Sequence, residues 1–231
     1  MRGRRVAVTV LLLVLTQVSL AQEIKVAAAA DLQFALQDIA AHFEKESGKS
    51  VKLTFGSSGN FFAQLQNGAP FDIFFSANLD YPKKLESAGV TEPGSYYEYA
   101  TGKIVLWVPN SSKLDVSAGL QGLLNPAVKK IAVANPQHAP YGQAAVAALK
   151  KEGIYDKVSD KLVLGENISQ TASFVASGAA DVGIVALSLA LGPNMEKPSK
   201  FPDRCEPDYS AFRVIVYWKF CVSSEWPSSR F

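Results

Sequence analysis

The sequence predicts an α/β protein built as two lobes, each a mostly parallel sheet flanked by helices, with a ligand cleft between them. Three observations lead there. Short apolar runs alternate with stretches of helical spacing along most of the chain. Four polar turns join the end of such a run to the start of a helical stretch. At 231 residues the chain is long enough to bury a large core, yet it shows no internal repeat and no long linker. In sheets of this kind ligands lie beyond the carboxyl ends of the strands, where the four turns fall.

In chain order, residues 1–21 stand apart from this pattern. Arg2, Arg4 and Arg5 precede an apolar run over 6–15, and Ser19 and Ala21 are the small residues of a cleavage site after Ala21. The run is too short for a membrane anchor and ends in polar Thr16 and Gln17. It reads as a secretory signal, so the mature protein is expected in the periplasm or otherwise outside the cytoplasm. Loss of three arginines and no acids moves the formal charge from +2 to near −1. No basic surface for nucleic acid or a membrane is left.

Lobe one is expected over 22–100. A strand at 24–29 leads into Asp31, placed to cap a helix with Leu32, Leu36, Ile39, Ala40 and Phe43 on one face and Gly48 at its end. Val51, Leu53 and Phe55 alternate with polar neighbours, as in a half-buried strand. Gly56, Ser57, Ser58 and Gly59 turn that strand into a helix carrying Phe61, Phe62 and Leu65, stopped at Asn67 and Gly68. A buried strand at 72–77 and a helix at 81–88, closed by Gly89, follow.

Lobe two is expected over 101–187. It holds strand 103–108, a short helix at 120–124, strand 131–134 and a proline-punctuated turn at 135–142. Then come a helix with Ala145, Val146 and Leu149 on one face, strand 161–164, helix 170–176 and strand 182–186. Short connections are expected at 99–102 and 186–189, so that strand-like crossovers join the lobes. Residues 188–231 read as a return segment to lobe one, divergent or incomplete. Pro198, Pro202, Pro207 and Pro227 break any long helix there, and a single strand fits within 212–220. Cys205 and Cys221, the chain's two cysteines, lie in this segment. An exported protein permits a disulfide between them, and the sequence does not fix one.

Function is carried by the four turns: Ala30 with Asp31, Ser57 with Ser58, Tyr141 with Gly142, and Ile168 with Ser169. Each places unpaired backbone N–H groups and the positive end of a helix dipole at one point. Serine and tyrosine hydroxyls add directional donors. Converging neutral dipoles can hold a small anion without a counter-ion, and with no buried ion pair to break they also release it.

The blocks Ala30-Asp31-Leu32, Phe55-Gly56-Ser57-Ser58-Gly59, Phe71-Asp72-Ile73-Phe74-Phe75-Ser76-Ala77, Ala139-Pro140-Tyr141-Gly142 and Gly165-Glu166-Asn167-Ile168-Ser169-Gln170 occur in order. Together they resemble the molybdate-binding subunits of bacterial ABC importers, which are two-lobed periplasmic binding proteins, over about residues 24–193. The resemblance implies capture of molybdate or tungstate between the lobes and delivery to a membrane permease driven by an ATPase. It implies a monomer with no cofactor, in which molybdenum enters only inside its oxyanion and no residue ligates the metal directly.

Carried over position by position, Ser58 matches the serine that binds through hydroxyl and backbone, with Ser57 beside it. Ile168 and Tyr141 match positions that donate from the backbone. Serine is usual in the first motif of the family, where Ala30 and Asp31 stand here, so a backbone donor is kept and a hydroxyl lost. The Asp31 carboxylate is expected to cap its helix and point away from the anion. Ala186 stands where some relatives have a tyrosine, and the Tyr141 phenol is expected to serve from the other side of the cleft.

Other chemistries fit the sequence poorly. His42 and His138 lie in unrelated segments, no cluster has metal-ligand spacing, and His138 is expected to be a solvated loop residue. The serine turn lacks the spacing of a nucleophile elbow, and no glycine-lysine phosphate loop exists. An enzyme would need an acid/base pair in the cleft, for which Asp31 and Glu166 are the candidates. Trp107, Trp218 and Trp226 read as core or surface aromatics. A carrier of another oxyanion, such as sulfate or thiosulfate, or of a small organic solute remains the alternative.

Overall fold

The computed structural model describes residues 23–109, 112–114 and 118–192, and the backbone of 218–223. The signal segment, both cysteine side chains and most of the return segment lie outside the described residues.

The first sheet starts from β1 (Glu23–Ala29) and β2 (Ser50–Gly56), which pair in parallel from Glu23 opposite Ser50 to Ala29 opposite Gly56. β3 (Ile73–Ser76) joins the other edge of β1, also in parallel. β1 is covered on both faces, which is why its later residues form an unbroken buried apolar run rather than an alternating one. A single 3-10 turn (Ala30–Leu32) passes from β1 into helix α1 (Gln33–Ser47). Gly48, at φ 69°, closes that helix with its N–H on the Glu44 carbonyl, a left-handed position that suits glycine. β2 feeds α2 (Ser58–Gln66), and β3 feeds α3 (Asp80–Ser87).

β4 (Tyr96–Gly102) and β9 (Trp218–Ser223) complete the sheet in the order β2-β1-β3-β9-β4. β9 is antiparallel to both its neighbours. Residues 99–102, expected as a strand-like crossover, are strand. The return strand lies at 218–223 and shares only part of the range expected for it. That difference has a cause: β9 finds β4 more than a hundred residues away, and such pairing leaves no local mark in the sequence.

The second sheet has the order β5-β8-β6-β7, from β5 (Ile104–Trp107), β6 (Ile131–Ala134), β7 (Leu162–Gly165) and β8 (Val182–Ala186). β6 is parallel to β7 and β8, and β5 is antiparallel to β8. Its helices are α4 (Pro140–Lys151), α5 (Tyr155–Val158), α6 (Ile168–Ala176) and α7 (Leu187–Ala190), the last a single helical turn where a strand-like crossover is expected. The α/β architecture of two sheets flanked by helices is thus the one the sequence predicts.

Large side chains hold each half away from the centre. Phe61, Phe74 and Leu85 are buried under the first sheet, and Leu123, Ile131, Leu149 and Ile154 under the second. Full burial of such a side chain contributes about 1.5–3 kcal/mol. Between the halves the core changes character. Ala29, Ala30, Ala77, Ala132, Ala134, Ala139 and Ala186 cluster there with Tyr141, Ile168 and Trp107. Small side chains at the strand ends let helix starts from both sheets approach one another.

Candidate functional site

All six residues singled out in the four turns, Ala30, Asp31, Ser57, Ser58, Tyr141 and Ile168, are buried. Each turn is held by a different local device. Ser57 caps α2, its Oγ accepting from Asn60 N at 3.4 Å. Phe61 fixes that helix from below, edge-on to Phe71 and Phe74. Asn167 caps α6, its Oδ1 accepting from the N–H groups of Ser169 and Gln170 at 3.0 Å each. At α4 the first position is Pro140, which has no N–H, so Tyr141 carries the first donor of that helix.

The consequence is a set of uncommitted donors. Among the described residues the backbone N–H groups of Ser58, Tyr141 and Ile168 make no hydrogen bond within the protein. The Ser58 hydroxyl is oriented as well. Its Oγ accepts from Ala77 N at 2.9 Å, a bond that occupies a lone pair and leaves the O–H free to donate. From residue 23 to 192 the chain contains no arginine, and the side-chain partners at the turns include a histidine and carboxylates. Uncompensated buried N–H groups cost free energy, so such donors suit an acceptor.

Asp31 departs from its expected arrangement. It lies inside the 3-10 turn and makes no side-chain cap. Instead Tyr141 donates its phenol to Asp31 Oδ2 at 2.9 Å, across from the other half, while Oδ1 is buried without a partner. Two expectations are corrected at once. The carboxylate does not cap its helix, and the Tyr141 hydroxyl is directed to Asp31 rather than left as a spare donor. Burial pushes the Asp31 carboxyl from 3.8 up to about 7, and the bonds from Tyr141 and from its own backbone N–H offset only part of this. The Tyr141 phenol is held well above its usual value of 10, by burial first and then by the neighbouring Asp31 carboxylate, so it stays a neutral donor.

His138 is not a free loop residue either. Its Nδ1 and Ser57 Oγ share a hydrogen bond of 2.9 Å, its carbonyl accepts from Gly59 N at 2.9 Å, and Nε2 lies 3.7 Å from Glu166 Oε2. Asn60 Nδ2 donates to Glu166 Oε1 at 2.6 Å. Further round the seam, Ser169 Oγ donates to Gln33 Oε1 at 3.1 Å and Ser188 Oγ to the Asp31 carbonyl at 2.8 Å. These bonds join the two halves in a closed arrangement. A Cβ added at Gly59 would sit 2.5 Å from the His138 carbonyl oxygen, so only glycine lets the helix start dock there.

Sequence reasoning missed the seam residues Asn60, His138, Gln33 and Ser188, and Ala77 behind Ser58. Of these only His138, lying in a candidate turn, carried a signal. Asp31 and Glu166 engage different partners, Tyr141 for one and Asn60 and His138 for the other. Among the described residues no group of three or more His, Cys, Asp or Glu could hold a metal ion, and no helix is long and apolar enough to cross a membrane.

Two α/β halves closed against one another are the architecture of the two-lobed binding proteins. Comparison with known proteins agrees, and the chain belongs to the family described as bacterial extracellular solute-binding protein, whose profile matches residues 24–216. The molybdate-binding protein ModA of Azotobacter vinelandii is 45% identical over 168 residues, 73% of this chain and 66% of that protein. The ModA of Rhodobacter capsulatus is 40% identical over 172 residues, 74% of this chain and 67% of that one. The chain thus spans about two thirds of the length of the curated relatives it matches. The solved periplasmic molybdate-binding protein of Azotobacter vinelandii superposes with a TM-score of 0.74 at 34% identity, covering 87% of this chain and 84% of that structure.

Proposed function

We propose that the protein captures molybdate or tungstate between its halves and delivers it to a permease and ATPase that import it. One observation carries this reading: the N–H groups of Ser58, Tyr141 and Ile168 and the Ser58 O–H are buried donors without partners. The names of the relatives supply the identity of the anion. Ala30, Asp31 and Ser57 stand beside these donors as the rest of the shell. The chain acts as a monomeric carrier outside the cytoplasm, not as an enzyme, and needs no cofactor. Molybdenum is cargo, surrounded by its own oxygens.

Selectivity follows from rigidity. Donors fixed on three helix starts cannot contract around an anion smaller than molybdate without leaving some unpaired, at about 1–3 kcal/mol each. Molybdate and tungstate, nearly equal in size, bind alike, and sulfate binds weakly. Calorimetric titration with molybdate, tungstate, sulfate and thiosulfate tests this. Sulfate or thiosulfate binding as tightly as molybdate would overturn the assignment in favour of another oxyanion. Failure of all four would point to an organic solute.

A further inference from the structure

Asp31 is an unexpected group to find beside a site for a dianion. It is 3% exposed, one of its oxygens takes the Tyr141 phenol at 2.9 Å, and the other is buried with no partner. An ionised carboxylate in that position would set a negative charge against the anion and leave Oδ1 as an acceptor where only donors are useful. A carboxylic acid resolves both conflicts, because a proton on Oδ1 removes the charge and makes the orphaned atom a donor. The geometry points to Asp31 as the proton-carrying donor of the shell: it takes one proton from solvent onto Oδ1 as the oxyanion binds and donates that O–H to an anion oxygen. This rests on the oxyanion reading above and specifies how that site is regulated.

The surroundings keep the exchange to one group. The elements packed most closely on the 3-10 turn of Asp31 are α1, α6 and α7. α6 and α7 carry no acid, lysine, arginine or histidine, and the first such residue on α1 is Asp38, seven positions on. From α4 the facing group is Tyr141, with Tyr99 of β4 acting on that phenol in turn. Both are phenols, and Tyr141 stays neutral throughout. The carboxyl, already lifted to about 7 without a ligand, is half-ionised near neutrality, so a second negative charge beside it draws the proton on.

Proton uptake can be counted directly. Molybdate is titrated calorimetrically into the protein between about pH 6 and pH 8.5, each time in two buffers of different ionisation enthalpy. Near pH 8 about one proton should be taken up per molybdate bound, and close to none near pH 6. The apparent Kd should accordingly rise up to about tenfold per pH unit above neutrality. Asp31→Asn, which donates without titrating, should abolish the uptake and flatten the pH dependence. Tyr141→Phe removes a bond that holds the carboxyl down, so it should move the onset of the rise to higher pH. Binding without proton uptake near pH 8, or the same slope in Asp31→Asn as in the parent, overturns this inference alone. Absence of molybdate binding at every pH overturns it together with the oxyanion reading.

Discussion

In the proposed site, Ser58 would serve the fold and the ligand with one side chain. Its oxygen accepts the buried Ala77 N–H, and because that bond leaves its own proton unused, the hydroxyl is aimed before any ligand arrives. Removing it therefore has two separable effects. Ser58→Ala leaves the Ala77 N–H unsatisfied, costing about 1–3 kcal/mol of stability. It also deletes a hydrogen bond to a charged ligand, worth about 1.5–3 kcal/mol, so molybdate Kd should rise on the order of 10- to 100-fold. A thermal melt and a calorimetric titration of the same variant read the two quantities separately. An unchanged Kd would show that this hydroxyl does not face the anion.

At the scale of elements, helix starts carry the site, and most of them were visible in the sequence. The glycine-serine turn before Phe61 and the asparagine before Ile168 are capping signals with a local cause, and both open helices in the structure. What stayed hidden were contacts between turns distant in the chain. Asp31 looked like a cap because an acid before an amphipathic stretch usually is one, yet its partner is Tyr141, 110 residues on. The pairing of β4 with β9 stayed hidden for the same reason, since it is fixed by tertiary structure alone. The seam between the turns can be tested at Gly59. A methyl there would meet first the His138 backbone of the opposite half, so it opposes closure more than folding. Gly59→Ala should release molybdate faster, with stability of the ligand-free protein nearly unchanged, as stopped-flow release and thermal melts would show. Asn167→Ala, by contrast, frees two N–H groups that Asn167 now caps and should cost about 1 kcal/mol of stability while loosening the turn that presents Ile168.

For the whole molecule, closure and protonation are linked, because the bond between Asp31 and Tyr141 joins the halves and buries a carboxyl with them. The sign follows from the two values. The unfolded chain loses the Asp31 proton near 3.8 and the closed structure holds it to about 7. The stabilisation from burying the neutral acid is therefore complete below the lower value and is lost as pH rises through the upper one. The ligand-free protein should melt at a higher temperature near pH 5.5 than near pH 8, and Asp31→Asn should remove most of that difference. A bound oxyanion works against the same loss. Any ligand that binds only the folded state adds RT ln(1 + [L]/Kd), about 4 kcal/mol at a thousandfold excess over Kd. Molybdate at fixed excess over Kd should therefore raise the melting temperature at both pH values. Because binding recharges the Asp31 proton, the concentration needed to reach a given rise should be greater near pH 8 than near pH 5.5. Melting curves across a molybdate series at the two pH values would measure this, and equal requirements at both would show that Asp31 keeps one protonation state throughout.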